Sequence, residues 1–356
     1  MVKSIRIGNV VGSPGKKISG LFAVAERAAS KIELPVSIIQ GTKQGPTLVV
    51  IAGEHGCEYS GIVGAVKFIR DLDPRDVSGT IVVVPLANPV AFDQRYLFVN
   101  PIDQVNTYGA YPGNADATVT FRIAHKILNE IALKGDALVH LHGADYNEAL
   151  VPFNYVPMTG DEDLDRKSAD LARCFPVKYH LRALPASKSK SRPPVGTTYA
   201  VTADGTLYWE SATHGVPATM VEAGKEGKAD EETVAIHYEG LMNVARHLGI
   251  LPGKARQEKQ TQTFINPVLV ANKSAGLFIP KVSYGEKVKK RQALGEIWNF
   301  EGRTLETIRS PINGMVVCRI NFTAADSYPT QIQPYLFYMA ELDPHPLGGR
   351  DRHHRK

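Results

Sequence analysis

Residues 47–72 read TLVVIAGEHGCEYSGIVGAVKFIRDL, and the order of its parts decides the fold. TLVVIA is a β-branched apolar run closed by a Gly, the mark of a buried strand. GIVGAVKFIRDL carries apolar residues at helical spacing, with Ile62, Val66 and Ile69 expected on one buried stripe. Between them, GEHGCEYSG sets His55 three positions before Glu58. On a first helical turn those positions share a face, so an imidazole nitrogen and a carboxylate oxygen can converge on one divalent ion.

A third ligand has to come from elsewhere, and the best donor is His142 in DALVHLHGAD, where a second apolar run ends in a His followed by Gly143. The candidate ligands then sit at the carboxyl ends of two expected strands, where open α/β sheets gather their chemistry. Two His and one Glu with an open fourth position form the ligand set of a hydrolytic zinc site. A lone His-x-x-Glu is common by chance; the strand-then-loop setting and the distant His lift this one above it.

Working outward, LPVSIIQ and GTIVVVPLA read as further buried strands, and ATVTFRIAHKILNEIALKG followed by DALVHLH repeats the helix-to-strand alternation. This pattern predicts an α/β domain with a mixed, largely parallel sheet. Residues 146–216 are less regular, with a helix over EDLDRKSADLARCF and a polar excursion, ALPASKSKSRPPVG, read as a solvated loop or a lid. VPATMVEAG is a last strand, and DEETVAIHYEGLMNVARHLG a helix with Val234, Tyr238, Leu241, Ala245 and Leu248 on its buried stripe and Gly249 at its end. After LPGKARQEKQTQ the period changes, and short alternating segments with turns at SAG, SYGEK, FEG and SPING predict a small all-β domain.

Composition limits the function classes. With 356 residues, 43% hydrophobic and 22% charged, the chain has the profile of a soluble globular protein of about two domains. The net charge is +5, and its most visible basic stretch, GGRDRHHRK, is terminal, so no nucleic-acid partner is expected. No apolar run approaches the ~18 residues that span a bilayer, and the start makes a poor signal peptide, so a cytoplasmic protein with no membrane partner is expected. Cys57, Cys174 and Cys318 are too scattered for a disulfide framework, in keeping with a reducing compartment.

GEHGCEYSG, ANPVAFDQR, PIDQV followed by YPG, LVHLHG and GVPATMVEAG occur in an order that resembles the succinylglutamate desuccinylase/aspartoacylase family of zinc hydrolases, in its bacterial branch with N-acetyl-diaminobutyrate deacetylase-like proteins. GLFIPKVSYGEKVKKRQALGEI followed by RSPINGMVV is similar to the barrel-sandwich module, itself like a lipoyl or biotinyl domain, that closes bacterial members. The resemblance implies a zinc carboxypeptidase-like α/β/α fold, with zinc on His55, Glu58 and His142. It also implies a general base at Glu222, which would take a proton from water activated by the metal and pass it to the leaving amine. Arg95 is the candidate electrophile that would stabilise the oxyanion, although its spacing from PIDQV is looser than the family's.

One departure bears on substrate choice. Where the family carries an Asn-Arg pair that binds the substrate's carboxylate, this chain has Tyr108 and Gly109, neither cationic. Lys188, Lys190 and Arg192 are the basic side chains that a loop could bring in instead. Cys57 is read as packing and His140 as a group backing the metal ligands. Lys287, Lys289 and Lys290 are read as solvated turn residues rather than a carrier lysine.

The expected organisation is a zinc-hydrolase domain over residues 1–255, a β barrel-sandwich-like domain over 256–345 and a disordered basic tail over 346–356. The expected activity is zinc-dependent hydrolysis of the amide bond of a small N-acylated amine or amino acid. The partner is a small-molecule N-acyl substrate, and a homo-oligomer stays open. The alternatives are a family member that has lost turnover and binds or regulates, and a carboxypeptidase-like peptidase.

Overall fold

A computed structural model describes residues 4–189, 191, 202–321, 323–327 and 335–344. The apolar runs of the first half become strands β1 (Lys16–Glu26), β2 (Lys31–Gln40), β3 (Lys43–Ala52), β4 (Ser78–Val84) and β5 (Ala137–His142). Three more follow within the region expected to be irregular: β6 (Glu148–Leu150), β7 (Phe153–Pro157) and β8 (Tyr179–Ala183). β9 (Ala218–Glu222) carries TMVE, and β10 (Gln262–Val270) opens the last part of the chain. The helices are α1 (Tyr59–Asp71), α2 (Pro89–Gln94), α3 (Val119–Glu130), α4 (Glu162–Arg173), α5 (Leu207–Thr213) and α6 (Glu231–His247). Among the described residues no helix is long and apolar enough to cross a membrane.

The last part adds β11 (Gly276–Pro280), β12 (Lys287–Val288), β13 (Ala293–Trp298), β14 (Thr304–Arg309), β15 (Gly314–Ile320), β16 (Ala324–Ala325) and β17 (Phe337–Asp343). Thirteen strands form one sheet in the order β6-β15-β17-β10-β8-β7-β9-β5-β3-β4-β2-β1, with β12 paired to β15. Parallel pairing is confined to β4–β3–β5–β9 and to β7–β8–β10, and the other pairs are antiparallel. The sheet is therefore mixed and not largely parallel. The expected run of parallel crossovers stops at β9, because the chain after β5 passes through β6, which pairs with β15, into β7, which lies antiparallel to β9.

Side chains alternate across β3, so Leu48, Val50 and Ala52 pack on one face with Phe68 of α1 and Leu241 and Val244 of α6. Val49 and Ile51 pack on the other with Ile123 and Ile127 of α3 and Leu207 of α5. Helices thus cover both faces of the central strands. The buried stripe of α1 differs from the expected one: Ile62, Ala65 and Phe68 are buried, while Val66 is 49% exposed. Small residues set this face. A Cβ at Gly64 would stand 2.6 Å from the His237 Cβ, so the missing side chain is what lets α1 and α6 approach.

A third apolar cluster, with Phe278, Leu294, Ile297, Val316 and Phe337, lies between the four-stranded sheet β14-β13-β11-β16 and strands β15 and β17. Backbone pairing runs without a break from β8 into β10 and on to β17 and β15, and β6 returns from before residue 255 to pair with β15. The expected tail over 346–356, Lys190, Arg192 and the end of the polar excursion lie outside the described residues.

Candidate metal centre

The parallel strands β3, β5 and β9 end at one edge of the sheet, with Leu141 beside Ala52 and His142 beside Glu222. Past β3 the chain turns at Gly53, whose φ of +65° and closeness to Pro85 and Leu86 exclude a side chain. The Glu58 N–H donates to the His55 carbonyl at 3.3 Å, so residues 55–58 form a turn ahead of α1. Glu58 stands at the N-cap of α1 but makes no side-chain capping bond. His55 and Glu58 therefore meet by turn closure rather than on a helical face, the geometry expected from spacing alone.

His55 Nδ1 lies 2.6 Å from Glu58 Oε1, and His142 Nδ1 lies 3.0 Å from Glu58 Oε2. The Gly143 N–H donates to the same Oε2 at 2.9 Å. The far nitrogens are also held. His55 Nε2 is 3.1 Å from Asn106 Oδ1, and His142 Nε2 is 3.3 Å from Glu54 Oε2 and 3.0 Å from His140 Nε2. None of Glu54, His55, Glu58, His140 and His142 is more than 6% exposed.

Burial disfavours the charge on Glu58, yet His55 and His142 hold its carboxyl far below the usual range. Burial likewise opposes ionisation of Glu54, and His140 and His142 outweigh it, bringing Glu54 to about 2. Burial would depress His142, but Glu58 and Glu54 lift it well above an ordinary imidazole. Burial and the neighbouring His142 lower His140 to about 3, so it is neutral near pH 7.

The residues could hold a divalent metal ion. Ligand atoms of His55, Glu58 and His142 lie within 4.8 Å of one another, and His142 Nδ1 is buried without an aligned hydrogen-bond partner. Asn106 Oδ1 bonds the opposite nitrogen of His55, and the Glu54 carboxylate lies 3.3 Å from that of His142, the kind of backing that fixes an imidazole tautomer toward a metal. A second group, Glu54, His140 and His142, is equally close. It meets His142 through the backing nitrogen and so belongs to the same centre.

His55 and Glu58 open onto a cavity that Glu222 also lines. Burial pushes the Glu222 carboxyl well above the glutamate range; His142 opposes this, while Glu58, Glu148 and Glu54 add to it. The Tyr108 ring stands 6.3 Å from that of His55 and 5.9 Å from that of His142 and walls the cavity. Leu269, Cys318, Tyr335 and Tyr338 form another wall from the far end of the sequence. Glu148 joins the two parts: it lies on β6, paired with β15, and Tyr335 donates its hydroxyl proton to Glu148 Oε1.

Arg95 does not reach this cavity. Asn88 caps the six-residue α2, which ends at Arg95 in a left-handed conformation (φ 53°), and Arg95 is exposed. Among the described residues no Lys or Arg lines the cavity. Lys188 reaches instead to Gly160. Cys57 donates to the Tyr96 carbonyl at 3.1 Å, away from the ligands. Glu54, Asn106, Glu148, Tyr335 and Tyr338 were not singled out from sequence. Only Glu54, next to His55, sits where a local reading could have found it.

The catalytic-domain profile of the succinylglutamate desuccinylase/aspartoacylase family matches residues 44–248. The N-alpha-acetyl-L-2,4-diaminobutyric acid deacetylase of Halomonas elongata is 24% identical over 279 residues, 77% of each protein. The product-bound ectoine utilization protein of Ruegeria pomeroyi superposes with a TM-score of 0.77 at 22% identity, over 96% of this chain and 98% of that one. A succinylglutamate desuccinylase/aspartoacylase from Rhodobacter sphaeroides gives 0.75 at 20% identity, over 91% and 95%. At these identities the two structures speak to the fold alone.

Proposed function

Because this chain belongs to the succinylglutamate desuccinylase/aspartoacylase family, we propose that it is a zinc-dependent deacylase for a small N-acylated amine or amino acid. The α/β/α layers would be those of the zinc carboxypeptidases, and the segment after residue 255 a barrel-sandwich-like cover. What carries the reading is the convergence of His55, Glu58 and His142 beside a cavity lined by Glu222.

His55, Glu58 and His142 would hold the metal, with Asn106 and Glu54 orienting the two rings. Bound there, zinc would supply a Lewis acid that polarises the acyl carbonyl and brings the pKa of water toward ~7. Glu222 accepts a proton from the attacking water and returns it to the nitrogen that leaves, its raised affinity for a proton suiting both halves of the exchange. Tyr108, Phe98 and Phe153 keep bulk water from the reacting bond. Arg95 stands outside the cavity, and among the described residues no guanidinium lines it to meet the oxyanion.

The test is metal analysis of the purified protein with turnover on a panel of N-acyl amines and N-acyl amino acids, each acid paired with its amide or ester. Stoichiometric zinc and release of a free amine are expected. The acid and its neutral partner should react within about tenfold, ~1.4 kcal/mol, since no Lys or Arg among the described residues lines the cavity. Protein that purifies without zinc and stays inactive across the panel after zinc is added would overturn the reading.

A further inference from the structure

Of the three carboxylates that line the cavity, Glu58 is tied to the two histidines and Glu222 is assigned to proton transfer. Glu148 has no part in the reaction, yet it is 4% exposed and opens onto the same space. Placing a carboxylate there is costly without a compensating charge, and among the described lining residues there is no Lys or Arg to supply one. Burial accordingly pushes the Glu148 carboxyl up to about 7, and Tyr335 satisfies one oxygen, orienting the group without bringing a compensating charge. Much of the remaining wall is aromatic, with Leu150, Leu269 and Cys318 between the rings: Phe153 and Tyr155 have ring centroids 4.9 Å apart, and Tyr338 lies 6.1 Å from Phe153.

A fixed carboxylate among aromatic faces is a receptor for an alkylammonium ion, which gains a charge-assisted hydrogen bond from the one and cation–π attraction from the others. A substrate carboxylate would meet the carboxyl groups of Glu58, Glu148 and Glu222 and, among the described lining residues, no Lys or Arg. We propose that Glu148, oriented by Tyr335, is a subsite for an ammonium group, and that the preferred substrate is an N-acylated amine with a second, cationic amine on a short linker and no need of a carboxylate. The inference rests on the amide-hydrolase reading for turnover but not for binding. The subsite is built across the two parts of the chain, since β15 positions Glu148 and Tyr335 comes from the segment before β17.

The experiment uses the zinc-loaded full-length protein and matched pairs of N-acetyl-α,ω-diamines and N-acetylalkylamines of equal length. It reads kcat/KM for each pair, and by calorimetry the Kd of the free diamines, in the parent, Glu148→Gln and Glu148→Asp. The parent should favour the diamine derivative by at least about 100-fold. Glu148→Gln should shrink that ratio and weaken diamine binding by at least about tenfold each, and Glu148→Asp should recover part of both. A purely structural role for Glu148 would lower both members of a pair alike. A parent ratio near one, or a ratio and Kd unmoved by Glu148→Gln, overturns the proposal; if Glu148→Gln does not fold, the parent ratio and Glu148→Asp decide. Turnover of N-acyl amino acids without any preference for the ammonium sinks the subsite and leaves the deacylase reading intact. Diamine binding that depends on Glu148, with no N-acyl compound turned over, does the reverse.

Discussion

Glu222 has to be ionised to accept a proton, and its surroundings work against that. Burial, then the carboxylates of Glu58, Glu148 and Glu54, hold its pKa up against the pull of His142. The base form is therefore lost as pH falls and regained as pH rises, so the acid limb of kcat/KM should lie above the ~4.3 of a free glutamate. Glu222→Gln should remove that limb, lose at least ~100-fold in turnover and still bind zinc, since the amide keeps the shape. Near-parental activity in that variant would assign the base elsewhere. His55→Ala or His142→Ala should lose the metal while the fold remains, because the strands behind them are held by their own apolar burial. Zinc analysis beside a far-UV spectrum separates the two outcomes, and stoichiometric zinc in both variants would refute the ligand set.

The α1–α6 contact depends on a hydrogen atom where other residues have a methyl. Gly64→Val would drive its side chain into His237, a fully buried ring whose Nε2–H donates to the Ala223 carbonyl at 2.9 Å, next to Glu222. Urea unfolding should show a loss of ~1–3 kcal/mol, the usual range for overpacking. At Gly109 a Cβ meets nothing within 4 Å, so Gly109→Ala should stay within ~0.5 kcal/mol, and equal losses in the two would contradict this packing. Elements with an unbroken apolar rhythm, such as β3 and α6, were legible in sequence. β7 and β8 were not, because Asn154 and His180 interrupt them: both are fully buried, with Asn154 bonded to the Ala172 carbonyl at 2.8 Å and 3.3 Å from His180 Nδ1. Interior polar pairing of this kind erases the periodicity that marks a strand. The stripe of α1 was misread for the opposite reason, as glycines mark its close face and the branched Val66 points to solvent.

Across the whole molecule, the strand-end placement of His55, Glu58 and His142 could be read from local order, whereas the cavity's far wall could not. Leu269, Cys318, Tyr335 and Tyr338 share no motif with the strands they face, and only tertiary pairing brings them there. Cutting the chain after residue 255 should therefore do more than remove an appendage. It strips that wall from the cavity, takes β15 from β6 and leaves β8 with an unpaired edge where β10 had been. The fragment should aggregate or bind substrate poorly, and light scattering with turnover on the same substrate would show it. A monodisperse fragment with parental KM would mean that the wall is dispensable.

The same continuity of backbone pairing matters while the protein is being made. β8 leaves the ribosome with one side satisfied by β7, and its other partner is encoded downstream, as are the strands that pair beyond it up to residue 343. At ~5–20 residues per second, the roughly 80 residues from β10 to β17 take on the order of 4–16 s to appear. For that interval the nascent chain carries the donors and acceptors of a raw sheet edge and an unfinished pocket, so it cannot begin work on its substrate before those strands have emerged. Slow translation of that stretch should lengthen its dependence on a chaperone that shields β edges.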